Sequence, residues 1–350
     1  MKARFCLGLL VLFLLLTVLP ACAAKPEATQ KVHWDMAVSG TPRVLTYPFE
    51  DFAADMAKLT NGLWEIKVHY GEVLSPYANH PDGIKQGLFE MCQMFASVHP
   101  GKTPLQTVIE LPFLGPGDLA QLAEWMDAIY RHPALVKELD QWNGMYFFPN
   151  NLASYEYMGK KPFKTVEDLK GLRIRVSATM GMPFTPFGAV LEMMPGGEVY
   201  TALERGMIDG VVWVWTYTFG SYKLYELSKY ATTEIAAGAA GMMTVVNKDA
   251  WNALPEEWRK MATNWAQTNA SQLYIKYNAL ADAQWLPLFA KAGIEITQLP
   301  PAERAKLVER AKPSWEEWVK RMEAQKLPGR EVLDFAIAKK AEIEAKYKKK

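Results

Sequence analysis

The segment DLKGLRIRVSATMGMPFTPFGAVLEMMPGGEVYTALERGMIDG, residues 168–210, carries the most informative pattern in this chain. Within it, residues 172–176 alternate apolar side chains with Arg173 and Arg175, which is the period of a β-strand. The carboxyl ends of strands in open α/β sheets line the crevice where ligands bind, and a guanidinium group pairs with a carboxylate through two parallel hydrogen bonds. Arg175 is therefore the first candidate for an anion-binding residue. Arg173 is expected to face solvent or a neighbouring acid.

The length and charge of the chain limit the possible functions. With 350 residues, of which 50% are hydrophobic and 12% aromatic, the chain is long enough for two domains with sizeable cores. The net charge is +1, and it becomes −1 when Lys2 and Arg4 are set aside with the first 23 residues. A balance this close to neutral argues against nucleic acid or an anionic membrane surface as the main partner.

The N-terminus has the features of a targeting segment. Two basic residues precede an apolar run over residues 5–19, and small residues follow at 21–24. We predict a signal peptide over residues 1–23 and export to the periplasm. Cleavage after Ala23 is one possibility, and a lipoprotein with lipid on Cys22 is the alternative. Cys92 is then the only cysteine in the remaining chain, and it is expected to be a buried small hydrophobe rather than a reactive thiol.

The coarse pattern of elements is that of an α/β protein. A strand over residues 33–38, an amphipathic helix over 47–59 and a strand over 64–70 form a unit that implies parallel strand pairing. Residues 255–285 are predicted to form one helix of roughly 45 Å, long enough to brace two domains. Two amphipathic helices are expected at 302–310 and 313–325, and a charged helix is expected at the end of the chain.

Two domains are predicted, with a hinge between them. The first comprises residues 31–151 and 239–278, and the second comprises residues 152–238 and 279–350, including the end of the long helix and the C-terminal helices. The chain is expected to cross between them near Asn150-Asn151 and to return at residues 236–241, where small residues cluster.

Several motifs resemble those of one known family. The run DLKGLRIRV at 168–176, GGEVYTALERGMIDG at 196–210, LTNGLWEIKV at 59–68 and ELPFL at 110–114 are similar to the binding proteins of tripartite ATP-independent periplasmic (TRAP) transporters. The resemblance implies a periplasmic-binding-protein (Venus-flytrap) fold, with two α/β domains, a hinge and a long bridging helix. It also implies that Arg175 holds the carboxylate of a small organic acid, which is delivered to the small and large membrane subunits of a permease.

The sequence departs from the family pattern at the second-domain crevice. After Asp209-Gly210, where many members have Glu-Asn-Pro, this chain has Val-Val-Trp. The Gly196-Gly197 step and Trp213 resemble the subgroup that binds 2-oxo acids and related hydroxy acids. In that subgroup an acidic residue before the tryptophan helps to hold a metal ion, but Val212 occupies that position here. We therefore predict neither a metal nor a cofactor.

One arginine surrounded by aromatic walls predicts a monocarboxylate ligand with an apolar or aromatic body. Three structural alternatives stay open: the tryptophans pack in the core, Arg175 pairs with a buried carboxylate such as Glu198, and His99 has a structural role. The predicted ligand-binding residues are Arg175, Trp213, Trp215, Tyr217, Phe95, His99, Gly196 and Tyr155.

The sequence predicts a binding protein rather than an enzyme. It has no Gly-x-Ser-x-Gly elbow, no P-loop and no pair of cysteines or histidines at metal-binding spacing. Capture of the acid in the cleft, followed by hinge closure, is the expected mechanism. The alternatives are a secreted or lipid-anchored enzyme that uses Glu198 or His99 as a base, and a binding protein that serves a sensor instead of a permease.

Overall fold

The structure is a computed structural model that describes residues 30–348. The predicted signal peptide and Cys22 lie outside the described residues. Within residues 30–348, no helix is both long enough and apolar enough to cross a membrane.

The first sheet has five strands in the order β2-β1-β3-β10-β4. Strand β1 is parallel to β2 and β3, and β10 is antiparallel to β3 and β4. The predicted strand–helix–strand unit is confirmed, with bounds that differ by at most one residue, and Trp34 lies opposite Ile66 in the parallel pair. The strands are β1 (Val32–Ala37), β2 (Trp64–His69), β3 (Met91–Phe95), β4 (Gly144–Pro149) and β10 (Met242–Asn247).

The second sheet has six strands in the order β11-β9-β5-β8-β6-β7. Strand β6 is parallel to β7 and β8, whereas β5 is antiparallel to β8 and β9. The strand predicted over residues 172–176 is confirmed as β6, which is one residue shorter at each end. The strands are β5 (Tyr155–Gly159), β6 (Arg173–Arg175), β7 (Val190–Glu192), β8 (Gly210–Val214), β9 (Tyr230–Thr233) and β11 (Glu295–Gln298).

Helices cover both sheets. The α-helices are α1 (Tyr47–Leu59), α2 (His80–Gln86), α3 (Leu119–Tyr130), α4 (Pro133–Asp140), α5 (Ala178–Gly181), α6 (Val199–Glu204), α7 (Tyr217–Ser221), α8 (Lys248–Ala253), α9 (Glu256–Trp265), α10 (Ser271–Lys291), α11 (Pro301–Ala324) and α12 (Gly329–Tyr347). Short 3₁₀ turns occupy Tyr77–Asn79, Ala96–Val98, Leu105–Glu110, Val166–Leu169, Met182–Phe187, Gly196–Glu198 and Leu224–Glu226.

Two adjacent segments connect the sheets. The chain leaves β4 and enters β5 through residues 150–154, and it returns from β9 to β10 through residues 234–241. The returning segment is hydrogen-bonded to the point where the outgoing segment enters β5. Ala237 N donates to Tyr155 O at 3.1 Å, and Tyr155 N donates to Gly238 O at 3.3 Å. A paired connection of this kind suits a hinge, and the predicted division into domains stays a prediction.

The predicted long helix bridges the two sheets. It runs from α9 through a π-helical turn at Ala266–Ala270 into α10, and so it extends beyond the predicted end at residue 285. The hydroxyl of Tyr277 donates to Asp51 on the first-sheet side at 2.6 Å. The hydroxyl of Thr216, on the second-sheet side, donates to Asp282. The helix therefore braces both halves of the molecule.

The C-terminal helices correct one expectation. Helix α11 is continuous through Pro313, where two helices were predicted. It starts beside the second sheet, where Val166 N donates to Glu303 at 3.0 Å, and Trp318 Nε1 near its end donates to Thr107 on the first-sheet side at 2.8 Å. Helix α12 packs on α3, and its Ala336 carbonyl accepts from Trp125 at 2.9 Å. The end of the chain thus packs with the first sheet, although the predicted division assigned it to the second domain.

Candidate functional site

Arg175 lies at the carboxyl end of β6, opposite Val211 of β8. Its guanidinium carbon is 4.1 Å from the centre of the Trp213 ring, and Nη2 donates to the Met194 carbonyl at 3.2 Å. Burial lowers the pKa of Arg175, but a guanidinium remains charged at neutral pH. No carboxylate of residues 30–348 lies within ion-pairing distance of it. The proposed pairing with Glu198 is therefore wrong, because that side chain is exposed and makes no such contact.

Arg173, two residues earlier, is paired as expected. Its Nη2 and Nε donate to the two oxygens of Asp209 at 2.8 and 3.0 Å, and its backbone N–H donates to the same carboxylate at 3.0 Å. Burial alone would raise the pKa of Asp209, but the hydrogen bonds from Arg173 and Lys161 lower it to about 2. One arginine of the strand is thus paired with an acid, whereas the other has no carboxylate partner within residues 30–348.

Trp213 forms an aromatic wall beside Arg175. Its ring stacks on Tyr222 with the centroids 4.8 Å apart and the planes inclined by 30°. Gly196 packs closely against both rings, because a Cβ added there would lie 2.9 Å from Trp213 Cη2 and 3.0 Å from the Tyr222 hydroxyl. These contacts bring Gly196 and Trp213 together with Arg175, as predicted. Sequence reasoning missed Tyr222, since no strand or loop pattern marked it.

Tyr155 and Tyr217 lie at the same end of two paired strands of the second sheet. Tyr155 begins β5, and Tyr217 follows β8 at the start of α7. Burial, followed by the nearby Glu110 and Tyr217, raises the pKa of Tyr155, whereas the charge of Arg175 lowers it.

A second arginine, which sequence reasoning did not single out, lies on the first-sheet side of the molecule. Arg43 lies in the loop between β1 and α1, and its Nη1 donates to the carbonyls of Ser39 and Thr41 at 3.0 and 2.7 Å. Burial raises the pKa of Tyr217, whereas the charge of Arg43 lowers it. The only signal in the sequence was the position of Arg43 after a strand end.

Glu110 is a buried carboxyl group at the edge of the cleft. It accepts a hydrogen bond from Ser97 N at 3.1 Å, and burial raises its pKa to about 8 despite that bond. It is therefore largely protonated at neutral pH. It borders a cavity of about 280 Å³ between the loops that follow β3 and β6, which is also lined by Ser97, Thr179, Trp318 and Arg321.

Two predicted residues have packing that favours their structural alternatives. The ring of Trp215 meets Phe219 and Phe289 at centroid distances of 5.9 and 6.2 Å, within the core behind the second sheet. His99 is 3% exposed, and its Nδ1 is 2.8 Å from the Thr103 hydroxyl. Burial lowers the pKa of His99 to about 4, so its imidazole is neutral. Within residues 30–348, neither side chain forms a hydrogen bond or ring contact with Arg175.

Phe95 lies at the end of a first-sheet strand, and Val212 lies in the core. Phe95 ends β3 and is partly buried. It lies opposite Met242, where the returning connection ends and β10 begins. Val212 is fully buried in the core. Within the described part of the chain, no group of three or more His, Cys, Asp or Glu side chains is arranged to hold a metal ion.

Comparison with known proteins is consistent with this architecture. The family model for DctP, bacterial extracellular solute-binding protein family 7, matches residues 38–321. A monocarboxylate 2-oxoacid-binding periplasmic protein of Nostoc sp. is 29% identical over 255 residues, which is 71% of this chain and 69% of that protein. A C4-dicarboxylate-binding periplasmic protein of Vibrio cholerae is 25% identical over 63% of this chain and 66% of that protein.

Solved structures show the same fold. A TRAP periplasmic solute-binding protein from Desulfovibrio salexigens with bound orotic acid has a TM-score of 0.72 and 25% identity, covering 89% of this chain and 100% of that one. The two-domain flytrap fold and the role in transport rather than in catalysis are thereby confirmed. This chain belongs to the family 7 extracellular solute-binding proteins, the DctP-type binding proteins of TRAP transporters.

Proposed function

We propose that the protein captures a small monocarboxylate with an apolar or aromatic body and delivers it to the small and large membrane subunits of a TRAP permease. Capture would occur in the periplasm, after removal of the first 23 residues or with lipid on Cys22. Arg175 binds the carboxylate, and the hinge then closes over the remainder of the acid.

The observation that carries this proposal is the unpaired guanidinium of Arg175. It is half-buried and stacked on Trp213, yet no carboxylate within residues 30–348 compensates its charge. A ligand carboxylate supplies the missing partner and two parallel hydrogen bonds. Trp213 and Tyr222 offer flat apolar surface beside it, which suits an aromatic or branched body.

The names of similar proteins support an organic acid. The Nostoc relative is described as binding monocarboxylate 2-oxoacids, and the Desulfovibrio structure contains orotic acid. The Vibrio relative is described as binding C4-dicarboxylates. We favour a monocarboxylate because the surroundings of Arg175 are predominantly aromatic.

The first experiment is native mass spectrometry of the purified mature protein, followed by release and identification of any small molecule that co-purifies. Calorimetry with the stripped protein then measures the affinity for that molecule. Arg175→Met is expected to weaken binding about 30-fold or more, because loss of a buried charge-assisted pair costs ~2 kcal/mol or more.

The matched control is Arg205→Met, which removes an exposed arginine from the same half of the protein. It is expected to leave the affinity unchanged. A neutral co-purified solute, or an Arg175→Met protein that binds the acid within about twofold of the wild type, would contradict the proposed role of Arg175.

A further inference from the structure

We propose that Tyr222 is a positioning residue for ligand binding, which holds the Trp213 ring in the place from which that ring orients the Arg175 guanidinium. This inference rests on the proposed function, since it assumes that Arg175 binds the carboxylate. It also gives the bridging helix a part in shaping the site, because contacts of that helix direct the chain between Trp213 and Tyr222.

The contacts around Arg175 form a closed ring. Trp213 lies against the guanidinium at 4.1 Å, and its centroid is 4.8 Å from that of the Tyr222 ring. The Met194 carbonyl accepts from Arg175 at 3.2 Å, and Gly196, two residues later, packs closely against both aromatic rings. Loss of the Tyr222 ring therefore removes a support of Trp213, and the guanidinium loses the fixed aromatic surface that orients it.

A strained turn brings Tyr222 back to Trp213. Thr216 has a φ of 49° and a ψ of −69°, and Tyr217 N donates to Trp215 O across it at 2.8 Å. This is a γ-turn of the rare form with positive φ, which is least favourable for a β-branched residue. Backbone strain of this kind persists only where the surrounding structure determines it, and it clusters at functional sites.

The bridging helix holds the strained turn in place. The Thr216 hydroxyl donates to Asp282 of α10. Gly220 of α7 packs directly on Trp285 of the same helix, because a Cβ added at Gly220 would lie 2.0 Å from Trp285 Cδ2. Tyr222 is the residue that directly follows α7. The helix that contacts both halves of the molecule thus determines where the Tyr222 ring lies.

The exposure of Tyr222 distinguishes this role from one in the core. The side chain is 38% exposed, so it contributes little to the packing of the second half. Its loss is therefore expected to change ligand affinity more than stability.

The test is calorimetry on the stripped mature protein with benzoate, phenylacetate, hexanoate and 4-methyl-2-oxopentanoate. The acid that binds the wild type most tightly serves as the probe. Tyr222→Leu is expected to weaken binding of the probe about fivefold to tenfold, because the stacked partner of Trp213 is lost. Tyr222→Phe keeps the ring and is expected to restore the affinity to within about twofold of the wild type.

A double-mutant cycle shows whether Tyr222 acts through Trp213. In a Trp213→Leu background, Tyr222→Leu is expected to weaken binding further by about twofold or less, because the ring that it supports is already absent. The matched control is Tyr230→Leu, which removes a partly buried tyrosine of the same half and is expected to leave the affinity unchanged.

A second pair of variants tests the contribution of the bridging helix. Thr216→Val removes the hydroxyl that reaches Asp282 and is expected to weaken binding about threefold, whereas Thr216→Ser keeps the hydroxyl and restores the affinity. This pair also tests the positioning role if Tyr222→Leu does not fold, which urea unfolding of each variant measures.

Three results would overturn the inference: a Tyr222→Leu affinity within about twofold of the wild type, equal losses in Tyr222→Leu and Tyr222→Phe, or an undiminished effect of Tyr222→Leu in the Trp213→Leu background. An unchanged affinity in Thr216→Val would overturn the part given to the bridging helix. If Arg175→Met leaves the binding of the probe unchanged, or if none of the four acids binds, the proposed function itself fails.

Discussion

At the scale of single residues, Arg173 and Arg175 show how neighbours decide the role of a side chain. Both arginines project from one short strand with the same alternation. Arg173 meets Asp209, which also accepts from Lys161, and becomes part of a structural ion pair. Arg175 meets Trp213 and a carbonyl, and within residues 30–348 no acid pairs with its charge. The difference arises from the position of Asp209 beside the strand.

Gly196 sets the space beside the aromatic wall. Gly196→Ala adds a methyl group within 2.9 Å of Trp213 and 3.0 Å of Tyr222, so one of the rings must move. Because those rings flank Arg175, we expect the affinity for the co-purified acid to fall about fivefold to tenfold, with a change in the free energy of unfolding of about 1 kcal/mol or less. Calorimetry and urea unfolding measure the two quantities.

Gly197→Ala is the matched control for this change. An added Cβ at Gly197 meets no atom within 4 Å, so the affinity is expected to stay near that of the wild type. Equal losses of affinity in the two variants would show that backbone freedom at this step matters more than the space beside Trp213.

At the scale of elements, hydrogen bonds of a buried asparagine join the long helix to the connection between the sheets. Asn278 of α10 is 5% exposed, and its Oδ1 accepts from Ala153 N at 3.3 Å. Its Nδ2 donates to Tyr274 O at 2.7 Å and to Asn151 O at 3.4 Å. The amide thus satisfies backbone groups of the hinge segment that would otherwise be buried without partners.

We predict that Asn278→Ala lowers the free energy of unfolding by about 1–3 kcal/mol, because it leaves buried backbone groups unsatisfied. Urea unfolding followed by circular dichroism measures the loss. Gln284→Ala, at an exposed position of the same helix, is expected to change stability by about 0.5 kcal/mol or less. A similar loss in both variants would show that the hinge contact is not its cause, because alanine raises helix propensity at both positions.

At the scale of the whole molecule, three buried carboxyl groups make stability depend on pH. Burial raises the pKa of Glu110 to about 8 and those of Glu138 and Glu156 to about 7, although each accepts backbone N–H bonds. Their ordinary pKa is 4.5, so the folded protein retains protons that the unfolded chain releases. The stabilisation is complete below pH 4.5 and is lost as the pH rises through 7 and 8.

We expect the free energy of unfolding of the stripped protein to fall between pH 5 and pH 8, by up to about 1.4 kcal/mol per pH unit for each group. Glu110→Gln imitates the protonated form. It should match the wild type at pH 5 and exceed its stability at pH 8 by about 1–3 kcal/mol. Glu257→Gln is the control, because that side chain is exposed in the folded protein. A Glu110→Gln advantage that is constant with pH would contradict this explanation.

The sequence was sufficient to predict the first strand–helix–strand unit, the strand that carries Arg175 and the bridging helix. The alternation around Arg175 identified β6, and the spacing of apolar residues identified α1 and the bridging helix, because these patterns depend on neighbours along the chain. Gly196 and Trp213 were singled out by their resemblance to the subgroup that binds 2-oxo acids and related hydroxy acids.

Tertiary packing settled what local patterns leave open. Tyr222 lies beside Trp213 only because separate segments fold together, and Trp215 and His99 contact other neighbours. Helix α11 continues through Pro313, since its buried face packs along both halves of the molecule. Periodicity shows which face of an element is apolar, but the partner of that face depends on contacts between residues far apart in the chain.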